Sequence, residues 1–147
     1  MLVTHMAFAL LIGLALVNNV SLPVASGLFL LAVLIGSVFP DIDSADSLIG
    51  RKTRLVSIFL AHRGAIHSFL SLVFFSIVAY LLVLNLYLAA GFMLGFFSHL
   101  VLDSLTPKGI SWLWPSKKRI RGVFRTTGIF DLMFLVFFLA LDLLILL

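Results

Sequence analysis

Long apolar segments alternate with short polar stretches along the whole chain. Residues 1–17, 22–39 and 129–147 are predominantly apolar, and residues 64–102 form a longer run without any formal charge. As one helix, the longest run would measure roughly 58 Å, about twice the hydrocarbon core of a bilayer. We therefore expect residues 64–102 to fold back once and to supply two of five membrane-spanning helices.

The turn within this run is expected at Asn85. Asn85 is the strongest turn former near the midpoint, and Tyr80 and Tyr87 flank it as interfacial aromatic residues. Residues 47–60 combine apolar positions with Arg51 and Arg54, a pattern typical of a helix that lies in the membrane interface. The predicted fold class is all-α. We expect a polytopic membrane helix bundle of about five transmembrane helices and a short interfacial helix, in a single domain of residues 1–147.

The composition agrees with a membrane protein. Of the 147 residues, 63% are hydrophobic and 11% are charged, and the mean hydropathy is +1.26. The chain has no cysteine, which excludes disulfides, thiolate metal ligands and cysteine nucleophiles. Residues 1–17 lack the basic start and the cleavage pattern of a signal peptide, so we expect them to remain as the first helix.

The basic residues predict the orientation. All ten Lys and Arg residues lie in residues 40–63 and 106–128, and none lies in the stretches that five crossings would place on the opposite side. By the positive-inside rule, the basic side and the N-terminus are cytoplasmic and the C-terminus is outside, in the inner membrane of the cell. We expect the basic loops to contact anionic lipid head groups, and we expect no nucleic-acid partner.

The polar residues of the apolar segments share one predicted depth. Each lies where a segment begins or ends on the cytoplasmic side, although the segments are far apart in sequence. Ionisable groups at such positions are functional-site candidates, because burying them in the membrane costs ~2.5–3.5 kcal/mol on insertion scales. The shared depth predicts one common site. The set comprises His5, Asp41, Asp43, His62, His67, His99, Asp103 and Asp131.

Helical spacing groups some of these residues further. His99 and Asp103 are four residues apart, which places both on one helical face at a spacing suited to a shared metal ion. Gly91 and Gly95 continue that face and would let another helix approach closely. His5 precedes a similar stripe of small residues, so it should also point into the bundle.

The segment after Pro40 has two interpretations. Pro40 disfavours α-helix at Phe39, so a turn or extended segment could direct both Asp41 and Asp43 toward the bundle. In the alternative, Asp43 or Asp46 caps the helix that follows. Each histidine likewise has the alternative role of a packing residue that is hydrogen-bonded within the protein.

Taken together, the motifs resemble a known family. They are His5, residues 40–43 (Pro-Asp-Ile-Asp), residues 62–68 (His-Arg-Gly-Ala-Ile-His-Ser), residues 98–103 (Ser-His-Leu-Val-Leu-Asp) and residues 106–109 (Thr-Pro-Lys-Gly). In order and spacing they resemble the YdjM family, small bacterial and archaeal inner-membrane proteins described as metal-dependent hydrolases. A more distant likeness is to the zinc-dependent phospholipase C and P1 nuclease group. The resemblance implies a membrane-embedded metal site built from these histidines and aspartates. The family pattern has threonine where this chain has Ile66, so a hydroxyl that could orient His67 is missing.

The first functional hypothesis is a metal-dependent hydrolase. Its substrate would be the phosphoester of a phospholipid or another amphiphile that enters from the cytoplasmic leaflet. Ligation by nitrogen and oxygen without sulfur suits zinc and also manganese or iron, with one or two ions bound. Asp41 would orient or deprotonate the attacking water, and Arg63 would bind a phosphoryl oxygen. The metal ligands would be His5, Asp41, Asp43, His62, His67, His99 and Asp103.

The second hypothesis is a non-enzymatic membrane protein. In it, a metal ion or a network of histidine and aspartate side chains fixes the helix ends, so that the basic loops can bind a partner or anionic lipid. An ion or proton pathway is disfavoured, because the far half of the bundle has few polar residues. A bundle of this size could also form a homo-oligomer that covers its site.

Overall fold

The chain is all-helical in the part that the structure describes. The computed structural model describes residues 1–43, 65–116, 118–124 and 128–147, and of Ile42 and Asp43 only the backbone. Within these ranges the α-helices are α1 (Leu2–Asn19), α2 (Ser26–Val38), α3 (Phe69–Val83), α4 (Leu86–Ser104) and α5 (Ile129–Leu146). A 3-10 helix, Phe39–Asp43, follows α2, and Ile110 and Ile120 form an isolated antiparallel bridge. The predicted all-α class is confirmed.

Helix length separates these helices into two groups. α1, α4 and α5 have 18, 19 and 18 residues and are long and apolar enough to cross a membrane. α2 and α3 have 13 and 15 residues, or about 20 and 22 Å, against a hydrocarbon core of ~30 Å. Three candidate spans are therefore found among the described residues, and the expected count of five stays a prediction. The expected interfacial helix of residues 47–60 lies outside the described residues.

The helices are arranged so that one end of the bundle collects the polar residues. α1 and α5 run in the same direction, because Thr4 bonds to Asp131 near their first turns and Asn18 bonds to Ile145 near their last turns. α2 and α4 run in the opposite direction and end beside the start of α1. At this polar end, α1, α3 and α5 begin, as the alternation of apolar segments predicts.

Local sequence explains the helix boundaries. Asn85 caps α4, since its side-chain oxygen accepts hydrogen bonds from the N–H groups of Tyr87 and Leu88 at 3.0 and 3.1 Å. The turn that was predicted within the long apolar run is therefore confirmed. α2 begins at Ser26, later than the predicted residue 22. Pro23 accounts for the non-helical backbone at Leu22, because proline disfavours helical backbone at the residue before it.

As expected from Pro40, the α-helix does not extend to Phe39: α2 ends at Val38 and a 3-10 helix follows it. Phe39 has φ −56° and ψ −42°, in the right-handed helical region, and the chain continues as a 3-10 helix through Asp43. Proline is tolerated in the first turn of a helix, because the N–H that it lacks would have no intrahelical partner there. The tight turn still directs Asp41 toward the polar end of the bundle.

Glycines allow α2 and α4 to pack closely. A Cβ atom at Gly95 would lie 1.8 Å from the carbonyl oxygen of Val33, and one at Gly36 would lie 2.0 Å from the carbonyl oxygen of Phe92. These distances leave no room for a side chain, so the predicted close approach of a helix to the face of Gly91 and Gly95 is confirmed. The approaching helix is α2, and the contact brings its last turn next to the end of α4.

Candidate metal centre

Three histidines and two aspartates meet at the polar end of the bundle. His5 lies in the first turn of α1, Asp41 in the 3-10 helix and His67 in the turn before α3. His99 and Asp103 lie one turn apart near the end of α4. The ring centroids of His5 and His99 are 4.2 Å apart, and those of His67 and His99 are 5.4 Å apart. Four separate parts of the chain thus form one group, which we call the His/Asp cluster.

The nitrogen and oxygen atoms of the His/Asp cluster face one another. The Nε2 atoms of His67 and His99 lie 3.5 and 3.8 Å from Oδ2 of Asp103. The same two nitrogens lie 4.0 and 3.7 Å from Oδ1 of Asp41. Nε2 of His5 lies 3.6 Å from Oδ1 of Asp103. These pairs are longer than an ordinary N–H···O hydrogen bond of ~2.7–3.2 Å, so the atoms surround a common space.

The spacing and the donor types fit a divalent metal ion. Ligands bound tetrahedrally at ~2.0–2.2 Å lie about 3.3–3.6 Å from one another. In two groups, His5 with His99 and Asp103, and Asp41 with His67 and His99, the ligand atoms lie within 4.8 Å of one another. The described part of the chain therefore contains a cluster that could hold a metal ion.

Backbone carbonyl groups orient two of the histidines. Nδ1 of His99 donates to the carbonyl oxygen of Ser37 at 2.7 Å, and Nδ1 of His5 donates to that of Met1 at 2.8 Å. A carbonyl oxygen only accepts, so each neutral ring carries its proton on Nδ1 and its lone pair on Nε2. Such hydrogen bonds fix the orientation of metal-binding histidines. The role of Ser37 could not be predicted from the sequence, because any residue type supplies a backbone carbonyl group.

Hydrogen bonds at the start of α3 fix the backbone next to His67. Ser68 caps α3, and its hydroxyl donates to the carbonyl oxygen of Ala65 at 2.6 Å. The backbone N–H of Phe69 donates to the carbonyl oxygen of Trp112 at 2.9 Å. The loop after α4 therefore helps to hold the start of α3, and with it the position of His67.

The His/Asp cluster is closed on most sides. The side chains of His67 and His99 are 1% exposed, that of Asp103 is 2% exposed and that of His5 is 4% exposed. The side chain of Asp41 is 25% exposed. Among these five side chains, Asp41 thus has the greatest access to water.

His99 belongs to both ligand groups, which limits how the cluster can bind metal. Because its Nδ1 atom is engaged by Ser37, His99 can bind one ion, through Nε2. Asp103 faces His5 with one carboxylate oxygen and faces His67 and His99 with the other. The cluster therefore offers ligand atoms that would suit one or two ions.

Some predicted site residues are not part of the observed cluster. His62 and Arg63 lie outside the described residues, and so does the side chain of Asp43. Asp131, which shares the predicted depth, accepts a hydrogen bond from the hydroxyl of Thr4 at 2.7 Å. The structure therefore brings five of the predicted residues together, while their role as ligands stays a prediction.

The fold and the cluster define a small helical membrane protein with a buried group of potential metal ligands. The chain matches the family model of the YdjM inner membrane protein over residues 1–146. It therefore belongs to the YdjM family, and the resemblance carried by its motifs is confirmed. Together with the apolar helices, this membership supports a location in the inner membrane.

Similar proteins from bacteria match part of the chain. The uncharacterized protein YvsG of Bacillus subtilis is 38% identical over 104 residues, which cover 66% of this chain and 64% of that protein. The inner membrane protein YdjM of Escherichia coli is 34% identical over 93 residues, which cover 57% of this chain and 47% of that protein. The matches thus span less than two thirds of the relatives' own length. No solved structure matches this chain.

Proposed function

We propose that the chain is a membrane-bound, metal-dependent hydrolase that cleaves a phosphoester of a lipid or another amphiphile at the cytoplasmic face. The observation that supports this most strongly is the convergence of three histidines and two aspartates at separations of 3.5 to 4.0 Å. Collecting five ionisable side chains at the end of an apolar bundle is costly unless they share a ligand or a function.

The metal ion would be held by the His/Asp cluster. Mixed nitrogen and oxygen ligands without sulfur suit zinc, and also manganese or iron. When bound, such an ion supplies Lewis acidity that stabilises negative charge on a phosphoryl oxygen and makes water more acidic. The proposed ligands are His5, Asp41, His67, His99 and Asp103, with His62 and Asp43 as further ligands predicted from the sequence.

Two residues would act on the reactants directly. Asp41 is the most exposed of the five side chains, at 25%, so it can accept a proton from water at the open side of the cluster. Arg63 precedes His67 by four positions and has a planar guanidinium suited to two phosphoryl oxygens at once. Asp41 would therefore serve the attacking water, and Arg63 the phosphoryl group.

The basic loops support a substrate from the cytoplasmic leaflet. Residues 106–128 connect α4 to α5 at the end that carries the cluster, and the positive-inside rule assigns this end to the cytoplasm. Lys118, Arg119 and Arg121 are exposed in this loop and would attract anionic lipid head groups. A second copy of the chain could cover the open side of the cluster in a homo-oligomer.

A structural role is the second candidate, and burial is the observation that favours it. The side chains of His67 and His99 are 1% exposed, so water has little access to their ligand atoms, and a site without an open position for water is typical of a structural ion. In this role, the cluster would tie the ends of α1, α3 and α4 together and so hold the basic loops in place.

One preparation can separate the two candidates. The chain is purified without chelator, its metal content is measured by elemental analysis, and hydrolysis of phosphatidic acid, phospholipids and small phosphodiesters is followed. We expect a chelator to abolish turnover and a divalent transition metal to restore it. Full metal occupancy without turnover on any of these substrates would contradict the hydrolase and favour the structural role.

A further inference from the structure

A cavity of about 110 Å³ lies between α1, α4 and α5, directly beside the His/Asp cluster. Its walls are apolar and include Phe8 of α1, Leu102 of α4, and Phe134 and Phe138 of α5. His5 also lines it, so one side chain belongs both to the cavity and to the cluster. We call this space the α1–α4–α5 cavity.

The cavity extends from the polar end of the bundle into its apolar part. Its lining on α5 runs from Asp131 to Phe138, which is about 10 Å along a helix. The three helices around it are those that are long and apolar enough to cross a membrane. An apolar cavity parallel to such helices suits hydrocarbon, which the surrounding lipid would supply.

The size of the cavity limits its occupant. A cavity of ~150 Å³ lined by aliphatic and aromatic side chains is enough for one benzene molecule. The α1–α4–α5 cavity is smaller than that, so it suits a segment of one hydrocarbon chain and not a fused ring system or two chains side by side.

Charges near the polar end suit an anionic head group. Phe124 lines the cavity, and its N–H donates to the carbonyl oxygen of Leu105 at 3.0 Å, which ties the basic loop to the end of α4. Arg121, three residues earlier, is exposed in the same loop.

The carboxylate of Asp131 is engaged by the hydroxyl of Thr4 at 2.7 Å and by the amino group of Met1 at 2.8 Å. The negative charge at the cavity edge is thereby compensated within the protein.

We infer that the α1–α4–α5 cavity binds part of one hydrocarbon chain of a phosphate-bearing membrane amphiphile, whose phosphate lies at the His/Asp cluster. The position of the phosphate rests on the proposed function, and the position of the hydrocarbon chain rests on the cavity itself. His5 links the two parts, because its ring lines the cavity while its Nε2 atom lies 3.6 Å from Oδ1 of Asp103.

Photo-crosslinking tests the inference without measuring turnover. The full chain is reconstituted in phosphatidylcholine vesicles with a dodecyl phosphate that carries a diazirine in its chain, and labelled residues are mapped after illumination. We expect labelling at Phe134 or Phe138 that unlabelled dodecyl phosphate competes away, while methyl phosphate, which has no chain to fill the cavity, and dodecyltrimethylammonium do not. Labelling of exposed α5 residues such as Phe137 should resist competition, because bulk lipid contacts them.

Adjacent phenylalanines supply a matched pair of variants. Phe138 is 7% exposed and lines the cavity, whereas Phe137 is 55% exposed. Phe138→Trp should fill part of the cavity and reduce the labelling that dodecyl phosphate competes away about tenfold, the effect of losing contact with roughly two methylene groups. Phe137→Trp should leave it unchanged. Phe138→Ala enlarges the cavity and should shift the preferred competitor toward longer chains, which serves as the test if Phe138→Trp fails to fold.

Two outcomes would overturn the cavity assignment. One is labelling that dodecyl phosphate competes away but that maps outside the cavity, and the other is equal competition by dodecyl and methyl phosphate. Hydrolysis measured in parallel keeps the two proposals apart. Labelling that depends on the length of the hydrocarbon chain, without turnover, would contradict only the proposed hydrolase activity. Turnover that does not depend on that length would contradict only the assignment of the cavity.

Discussion

The Nδ1 atom of His99 lies 2.7 Å from the carbonyl oxygen of Ser37, the residue before the last position of α2. This hydrogen bond crosses the interface between α2 and α4 and sets the direction in which Nε2 of His99 points. It forms because Gly95, one turn earlier on α4, leaves no side chain between the two helices. Helix packing and the geometry of the His/Asp cluster are therefore coupled.

We expect Gly95→Ala to disturb both the bundle and the cluster. The new Cβ atom would lie 1.8 Å from the carbonyl oxygen of Val33, so α2 and α4 must separate. Overpacking of this kind costs about 1–3 kcal/mol of unfolding free energy, and metal affinity should fall as His99 moves away from Ser37. Thermal unfolding in detergent and metal titration measure the two effects.

Gly27→Ala is the control for this variant, because a Cβ at Gly27 has nothing within 4 Å. It should be neutral, or stabilising by up to about 1 kcal/mol, because alanine favours helix over glycine. If Gly95→Ala were as stable as Gly27→Ala and bound metal equally well, packing and cluster geometry would not be coupled.

A second prediction concerns the metal ligands themselves. His99→Gln should lower the affinity for a divalent transition metal by at least tenfold, since changes even outside the direct ligands of metal sites cost 10–100-fold. Ser98→Ala is the matched control, because Ser98 is also buried but its hydroxyl bonds to Gly95 within the same helix. Elemental analysis of both proteins, purified without chelator, measures occupancy. Equal metal content in the two variants would show that His99 is not a ligand.

Much of this arrangement could be predicted from the sequence. Helix directions follow from the order of apolar segments, and the turn at Asn85 follows from one strong turn former within a charge-free run. The close approach of a helix to the face of Gly91 and Gly95 follows from small residues at helical spacing, although the spacing does not identify that helix as α2. These features depend on residue type and on periods along the chain, both of which are visible in one sequence.

Other features depend on distances that a sequence does not contain. Shared depth correctly placed His5 and Asp131 at one end of the bundle, but it did not show that His5 faces Asp103 whereas Asp131 pairs with Thr4. Depth fixes a position along the membrane normal and leaves rotation about each helix axis open. The role of the Ser37 carbonyl was hidden for a similar reason, because it depends on how closely two helices approach.

Topology gives a third prediction, which tests how many helices cross the membrane. The chain has no cysteine, so single cysteines introduced at Lys118, Leu86 and Leu147 can be labelled selectively in intact cells. We expect Lys118→Cys to be labelled only from the cytoplasm, and Leu86→Cys and Leu147→Cys only from outside, because every Lys and Arg lies on the predicted cytoplasmic side. Labelling of positions 86 and 118 from the same side would contradict the five crossings.

The last prediction separates catalysis from metal binding at Arg63. Arg63→Lys keeps the positive charge and the topology signal, but it replaces a planar, bidentate donor with a point charge. If Arg63 binds the phosphoryl group, turnover should fall about tenfold or more, the usual worth of a hydrogen bond to a charged group, while metal content stays at the wild-type level. Arg54→Lys is the control, since it makes the same change at a position expected only to face lipid head groups. Loss of metal in Arg63→Lys would mean that Arg63 supports the cluster and not the substrate, and unchanged turnover would remove it from the mechanism.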